Sequence, residues 1–352
     1  MADVTDKIGS DGSPTRDFTT ITLWEASLSA HSGDDVRGEC YADSDFDESF
    51  TINDATPDSI VLTAADGEEH DGTANSGVRW QASTDRVICT SGAMPLVISW
   101  IEFDFNGNDS SQYDSMIHLA SVTPNVHEIR NCLLHDYVGL SNAYGVYLAE
   151  PSRALNNIVY DNGKTHSKDR SVYGIVVASS SGDEGSIYNN TVYKIYSDNG
   201  ASPCAGIAVN DNVVIKNAIN NIVCGTTGTT SGAINDFVYA GANNTFDYNL
   251  SSDDSLPDGL HNVESKLASN QFVSTTDGSE DLHLKSGADA IGAGTDLGTT
   301  PSGVEIDIDG RDRDAEGDTW DIGADQYVVV ATGIARPKIN GSLAHGRVGL
   351  IA

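Results

Sequence analysis

An Asn or Asn pair placed directly before a short apolar run recurs along this chain. It appears in "IRNCLLHD" (129–136), "LNNIVYDN" (155–162), "IYNNTVYKI" (187–195) and "AINNIVCG" (218–225). The last Asn of each unit gives Asn131, Asn157, Asn190 and Asn221, with a weaker member at Asn249, in steps of 26, 33, 31 and 28 residues. A second marker, Gly before a mainly apolar run, falls between them at Gly145, Gly174, Gly206 and Gly232. Two interleaved markers sharing a period near thirty residues, tolerant of insertions, are the pattern of a solenoid of stacked coils.

The apolar runs are too short for helices and are rich in Val, Ile and Tyr, so each coil is expected to hold two or three short strands separated by turns. In a parallel stack, equivalent positions of successive coils lie about 4.8 Å apart, and like side chains meet. The Asn then has a reason. A sharp corner needs a residue that tolerates left-handed φ, and after Gly the least costly is Asn. Stacked amides can also hydrogen-bond to one another along the solenoid. Asn131, Asn157, Asn190 and Asn221 are therefore read as turn and ladder residues.

These motifs, with "GVYL" from Gly145 and "GIVV" from Gly174, resemble the coils of right-handed parallel β-helix proteins of the pectate-lyase-like superfamily. The segment 281–327, "DLHLKSGADAIGAGTDLG" onward, resembles the last coils of such proteins in bacterial surface, phage and metagenomic sequences. "RDFTTITLWEASL" (16–28) resembles the short helix that caps their first coil, and Ile21, Trp24 and Leu28 do fall on one helical face. The expected architecture is all-β: an N-terminal segment and cap (1–35), a right-handed parallel β-helix (36–327) and a C-terminal tail (328–352).

Composition narrows the function. The formal charge is -33, from 52 acidic against 19 basic residues, and Asp outnumbers Glu by 39 to 13. Such a field repels phosphate backbones and anionic bilayers, so no nucleic-acid or membrane partner is expected. Excess Asp favours turns over helices. "MADVTDKIGSDGSPTRDF" has no basic start leading into an apolar stretch, so no secretory signal is expected, and no run reaches the length of a membrane span. Cys40, Cys89, Cys132, Cys204 and Cys224 are odd in number, lie in strand-like contexts and show no C-x-x-C, which suits reduced core thiols.

No catalytic residue is assigned. Resemblance to pectate lyases would imply calcium-binding aspartates with an Arg motif, but Arg130 and Arg153 stand alone in the sequence. Resemblance to polygalacturonases would imply motifs of which only "SSDDSLPDGLHN", with Asp253, Asp254, Asp258 and His261, is suggestive, and a solvated turn is the simpler reading. "DIDGRDRDAEGD" (Asp307 to Asp318) alternates carboxylates but misses EF-hand spacing, so an acidic loop without metal is expected. His118, His127, His135 and His166 show no metal-ligand spacing. No metal and no cofactor are expected.

After Asp325 the chain carries no carboxylate side chain and becomes apolar and basic. This tail (Val328, Val329, Val330, Ile334, Arg336, Lys338, Ile339, Leu343, Arg347, Leu350) is expected to dock on another chain. The function expected is that of a phage virion protein at the virion surface: a capsid decoration, a spike or a tail-associated β-helix, anchored to capsid or tail proteins through residues 328–352. A homotrimer is what resemblance to viral β-helices implies. The alternative is a polysaccharide-degrading or glycan-binding β-helix: a tailspike depolymerase, lyase or adhesin. A non-enzymatic role is favoured; an enzyme would be a polysaccharide lyase or glycoside hydrolase.

Overall fold

The computed structural model describes residues 2–328 except 11–13, 44, 54–55, 82–88, 91–93, 106–108, 111–114, 121–125, 140–141, 150, 164–170, 179–184, 198–201, 211–216, 230–231, 240–244, 258–260 and 317–318. The tail lies outside the described residues except for Val328, as do Asp258 and His166.

Short strands stack in parallel into three long sheets, forming a right-handed β-solenoid of about six turns. Sheet I has nine strands, from Asp3–Ile8 to Thr245–Asp247. Sheet II has eight, from Arg79–Gln81 to Leu250–Ser251, and sheet III has seven, from Thr51–Ile52 to Ile234–Tyr239. Each turn visits them in the order I, II, III, as in Ser152–Leu155, Ile158–Asn162 and Val172–Ala178.

Alternation along each strand sends one set of side chains inward, where stacking aligns like with like. In sheet II the inward column is Trp80, Phe103, Leu134, Val159, Val192 and Val223, all at most 1% exposed. Burying such side chains contributes about 1.5–3 kcal/mol each, so the stack is the main source of stability. The N-terminal opening is closed by the helix Ile21–Ser27, whose first turn is capped by Thr20 accepting from Leu23 N at 3.1 Å. Ile21, Trp24 and Leu28 are buried as the sequence implied, and Trp24 lies over Gly38, where an added Cβ would come within 2.7 Å of the indole.

The corner between sheets I and II divides the Asn pair into two jobs. Its first residue is left-handed: Asn131 (φ 49), Asn156 (54), Asn189 (55) and Asn220 (59). Its second residue points inward and builds the ladder. The side-chain oxygens of Asn190, Asn221 and Asn249 each accept from the backbone N and the amide nitrogen of the preceding rung, at 2.9–3.0 Å. Each amide nitrogen also donates to a sheet I carbonyl: Ile129, Ala154, Ile187 and Ala218 for Asn157, Asn190, Asn221 and Asn249. Asn262 ends the column by accepting from Asn249 N at 3.0 Å.

Two sequence expectations shift by register. Asn131 is in phase with Asn156, so it turns the chain but is not a ladder rung; Cys132 holds the rung position and donates its N–H to Asn157 at 3.0 Å. Asn157, Asn190 and Asn221 are rungs without being the left-handed residues. Gly145, Gly174 and Gly206 do align in sheet III, where they pass close under sheet II: a Cβ on Gly174 would lie 2.6 Å from Val192 Cγ1. The next residue in that column is Asp236 rather than Gly232. Its buried carboxylate accepts from Ser252 N and Oγ, both at 2.6 Å, and helps close the last turn.

The segment 281–327 does not form the last coils. The chain leaves the stack after Leu250–Ser251 and a bridge at Val263, makes the antiparallel hairpin Phe272–Thr276 with Ser279–Leu284, and then runs back along the outside of the solenoid as an apron. Phe272, Leu282, Leu284, Ile308, Ile322 and Ala324 cover the outward residues Leu133, Ile158, Ile222 and Leu250 of sheet II. The left-handed Asn residues hold it. Asn220 donates to Thr295 O at 2.8 Å, Asn189 to Val304 O at 3.0 Å, Asn156 to Gly303 O at 3.0 Å and Asn131 to Asp307 O at 2.7 Å.

Replacing a rung strands buried donors, whereas replacing an outer Asn with Gly keeps the backbone conformation and loses one hydrogen bond. Asn190→Ala is expected to cost about 2–4 kcal/mol and Asn189→Gly only about 1 kcal/mol in urea denaturation.

Candidate functional site

Register fixes the outward columns of sheet II. One reads Gln81, Asp104, His135, Tyr160, Tyr193, Cys224, and the other begins Arg79, Glu102, Leu133, Ile158. The apron covers the apolar members, and the polar ones form a belt beside it. Its centre is His135, with Nε2 3.0 Å from Glu102 Oε1 and Nδ1 2.9 Å from Asp136 Oδ2. Asp104 lies 3.9 Å from Nδ1, and the ring stacks on Tyr160 at 4.9 Å and 12°. Glu102 is wholly buried, and its other oxygen accepts from Asn75 N at 2.7 Å.

Burial opposes a charge on His135, but the hydrogen bonds it donates to Asp136 and Glu102 and the charges of Glu102 and Asp104 outweigh it, holding the imidazolium to a pKa of about 9. Burial pushes the Tyr160 phenol upward, with Glu102 and Glu280 adding to the effect. Further along the belt, Lys194 Nζ lies 2.8 Å from Asp161, 2.5 Å from Asp277 and 3.6 Å from Glu280, joining the solenoid to the hairpin. Asp136, Asp161 and Lys194 are all left-handed, at the corner that ends sheet II.

A second cluster lies where the hairpin meets the apron turn. His283 Nδ1 is 2.6 Å from Asp281 Oδ1, and Nε2 is 2.9 Å from Asp309 Oδ1. His283, Asp309 and Asp325 each bring a ligand-type atom within 4.8 Å of the others, as do Glu102, Asp104 and His135 in the belt. Asp307 is buried beside them, its pKa pushed up to about 7 by burial and by the neighbouring Asp325.

The outward face of sheet III is aromatic. Tyr144 stacks on Tyr173 at 5.3 Å and 9° and on Tyr147 at 5.7 Å, and His118 meets Tyr147 edge-on at 4.6 Å. Tyr144 and Tyr147 are partly exposed, while Tyr173 is 4% exposed.

The structure separates most residues singled out in the sequence. Asp253 caps the solenoid by accepting from Ser251 Oγ at 2.6 Å and Asp236 N at 2.8 Å; Asp254 is exposed; His261 pairs with Asp247 at 2.9 Å and stacks on Tyr248. They form no shared site. Arg130 and Arg153 do not stand alone, since both act on the buried carboxylate of Glu128 on the outward face of sheet I. Cys40, Cys132, Cys204 and Cys224 are free and buried, with burial pushing the thiols of Cys132 and Cys204 up to about 12. His127 is a core residue, its pKa lowered by burial to about 4. The His135 and His283 clusters are not legible in the sequence because their members lie up to 42 residues apart, from His283 to Asp325.

Taken together, fold and site define a β-solenoid with a bolted outer apron and, among the described residues, two buried histidine–carboxylate clusters. No protein-family model matches the chain, and no curated protein is similar to it.

The histidines set opposed pH limits. His70 and His127 are held neutral with pKa values near 4, below the ordinary 6.5, so folding loses stability as pH falls from 6.5 toward 4. His135 has a raised pKa, so its contribution is complete below 6.5 and is lost as pH rises through about 9. Thermal midpoints measured against pH are expected to fall on both sides, and His135→Gln should reduce the alkaline limb, to which the raised His283 also contributes, while leaving the acid limb unchanged.

Proposed function

We propose that this protein is a structural β-solenoid of a phage virion, related to the pectate-lyase-like β-helices, that serves as a rigid acidic spike or decoration. One observation carries this reading: the chain closes itself. A helix covers the core at one end beside the edge strand Asp3–Ile8, Asp236, Asp253 and Asn262 cap the other, and an apron hydrogen-bonded to four successive corners covers sheet II. That construction favours a rod that keeps its shape outside a cell over a sheet edge awaiting a partner strand. The charge of -33 hydrates its surface. Residues 328–352 supply the anchor to a capsid or tail protein and hold a homotrimer together at the virion surface.

A second reading, a glycan-binding surface, is favoured by the partly exposed Tyr144 and Tyr147 on sheet III, with the buried Tyr173 stacked against Tyr144. Aromatic rings lined up along a rigid face suit the apolar faces of sugar rings.

Deleting residues 328–352 is expected to convert an oligomer into a monomer by light scattering while leaving the far-ultraviolet dichroism unchanged; a truncated chain with the parent mass overturns the assembly role. For the glycan reading, Tyr147→Ala should weaken oligosaccharide binding about tenfold by calorimetry, equal to about 1.4 kcal/mol, with no unsaturated product released. Turnover of any acidic glycan would instead establish a depolymerase.

A further inference from the structure

Hairpin and apron together bring one imidazole and two carboxylates into a single buried cluster. His283 sits in the strand Ser279–Leu284, Asp309 in the turn that follows Ile308, and Asp325 near the end of the described chain. These three stretches are brought together only by the fold. His283 is 3% exposed and Asp325 1% exposed, and the ligand-type atoms of the three residues lie within 4.8 Å of one another.

We propose that His283, Asp309 and Asp325 bind a divalent first-row transition cation, Zn2+ or Mn2+, which pins the apron turn to the hairpin. Three features of the site support this. Asp281 holds His283 Nδ1 at 2.6 Å, the outer carboxylate that fixes a ligating imidazole with Nε2 directed at the metal. Leu284 N donates to Asp325 Oδ2 at 2.7 Å, and Arg311 lies 2.6 Å from Asp309 Oδ2, so both carboxylates are positioned from behind. The third feature is independent of the cluster's own bonds. Gly72, from the first turn of the solenoid, lies against the same imidazole nitrogen, and a Cβ there would fall 2.6 Å from Nε2. Glycine at position 72, where φ is +80, therefore leaves the Nε2 side of the imidazole uncrowded.

The donor chemistry selects the ion. One imidazole and two carboxylates form a mixed nitrogen–oxygen set, suited to zinc or manganese, whereas calcium and magnesium take oxygen ligands. Three protein ligands leave room for water, and the role is a clasp. The other occupant of this geometry is a proton shared between Nε2 and Asp309, leaving a buried imidazolium between Asp281 and Asp309.

The whole chain, stripped with chelator and dialysed, would be titrated separately with Zn2+, Mn2+, Ca2+ and Mg2+, with retained metal read by elemental analysis and unfolding by calorimetry. The expected result is a single retained Zn2+ or Mn2+ and a midpoint rise of about 3–4 °C at a hundredfold excess over the dissociation constant, with Ca2+ and Mg2+ weaker. Asp325→Asn should lose both effects, while His261→Gln, at the exposed His261–Asp247 pair, keeps them. Because Asp325→Asn removes a buried group and can fail to fold, Co2+ uptake by the unmodified chain gives a second readout, a visible spectrum with nitrogen and oxygen ligands. An unmodified chain that retains no cation and shows no shift is the protonated clasp, and the proposal fails. It fails equally if folded Asp325→Asn takes up metal as the parent does.

Discussion

A buried amide is tolerable only when every hydrogen-bonding position on it is used, and this requirement governs the corner between sheets I and II. An Asn side chain at zero exposure without partners would cost about 2–7 kcal/mol. Stacking four of them turns that liability into a column in which each amide accepts from the rung before it and donates to sheet I. The column holds only if successive corners have the same shape. That shape places the neighbouring Asn in the left-handed region with its own amide facing outward, where it meets the apron. One dipeptide thus sets the spacing of the turns from within and the path of the covering segment from without.

The same repetition made the solenoid legible in the sequence, and its limits follow from the same cause. Asn–Asn is required only where both jobs are done. At the third turn Cys132 takes the inner place, and the lone Asn131 was read one position out of phase. At the ends Trp100 and Tyr248 are left-handed, each beside a histidine, His70 and His261, so the marker weakens there. The Gly marker fails at Asp236 for a similar reason: the closing turn needs a carboxylate to gather Ser252 and Thr226 where earlier turns need close approach to an inward valine. Segment 281–327 carries short apolar pairs that resemble strands, but nothing local says that their partners are outward side chains of earlier turns. The clusters around His135 and His283 are hidden in a different way, since each exists only once coil lengths are known.

The charge distribution is uneven. Although the chain is strongly acidic, several of its cations are enclosed and shared. Lys194 answers three carboxylates, His135 lies among Glu102, Asp104 and Asp136, and Arg313 is fully buried with its guanidinium on the carbonyls of Gly323 and Ala324. Lys194 and Arg313 sit at the seams where the hairpin and apron meet the solenoid, and His135 lies in the belt beside them. Like-charge repulsion is therefore offset where separate segments must be held in contact, as well as along the stack, where Arg130 meets Glu128 and Arg79 meets Asp45 and Asp104.

The apron also gives the chain a temporal order. Stacked coils can close one upon another as they emerge from a ribosome, because each turn contacts chiefly its neighbours. The apron cannot close that way. Its contacts with Asn131 span 175 and 176 residues, so it docks only after nearly the whole described chain has been made, and it docks on corners that must already be formed. Until then the outward apolar residues of sheet II, from Leu133 to Leu250, remain uncovered on a strongly acidic rod. The charge that hydrates the mature surface is thus also what keeps neighbouring nascent chains apart during the interval before that face is covered.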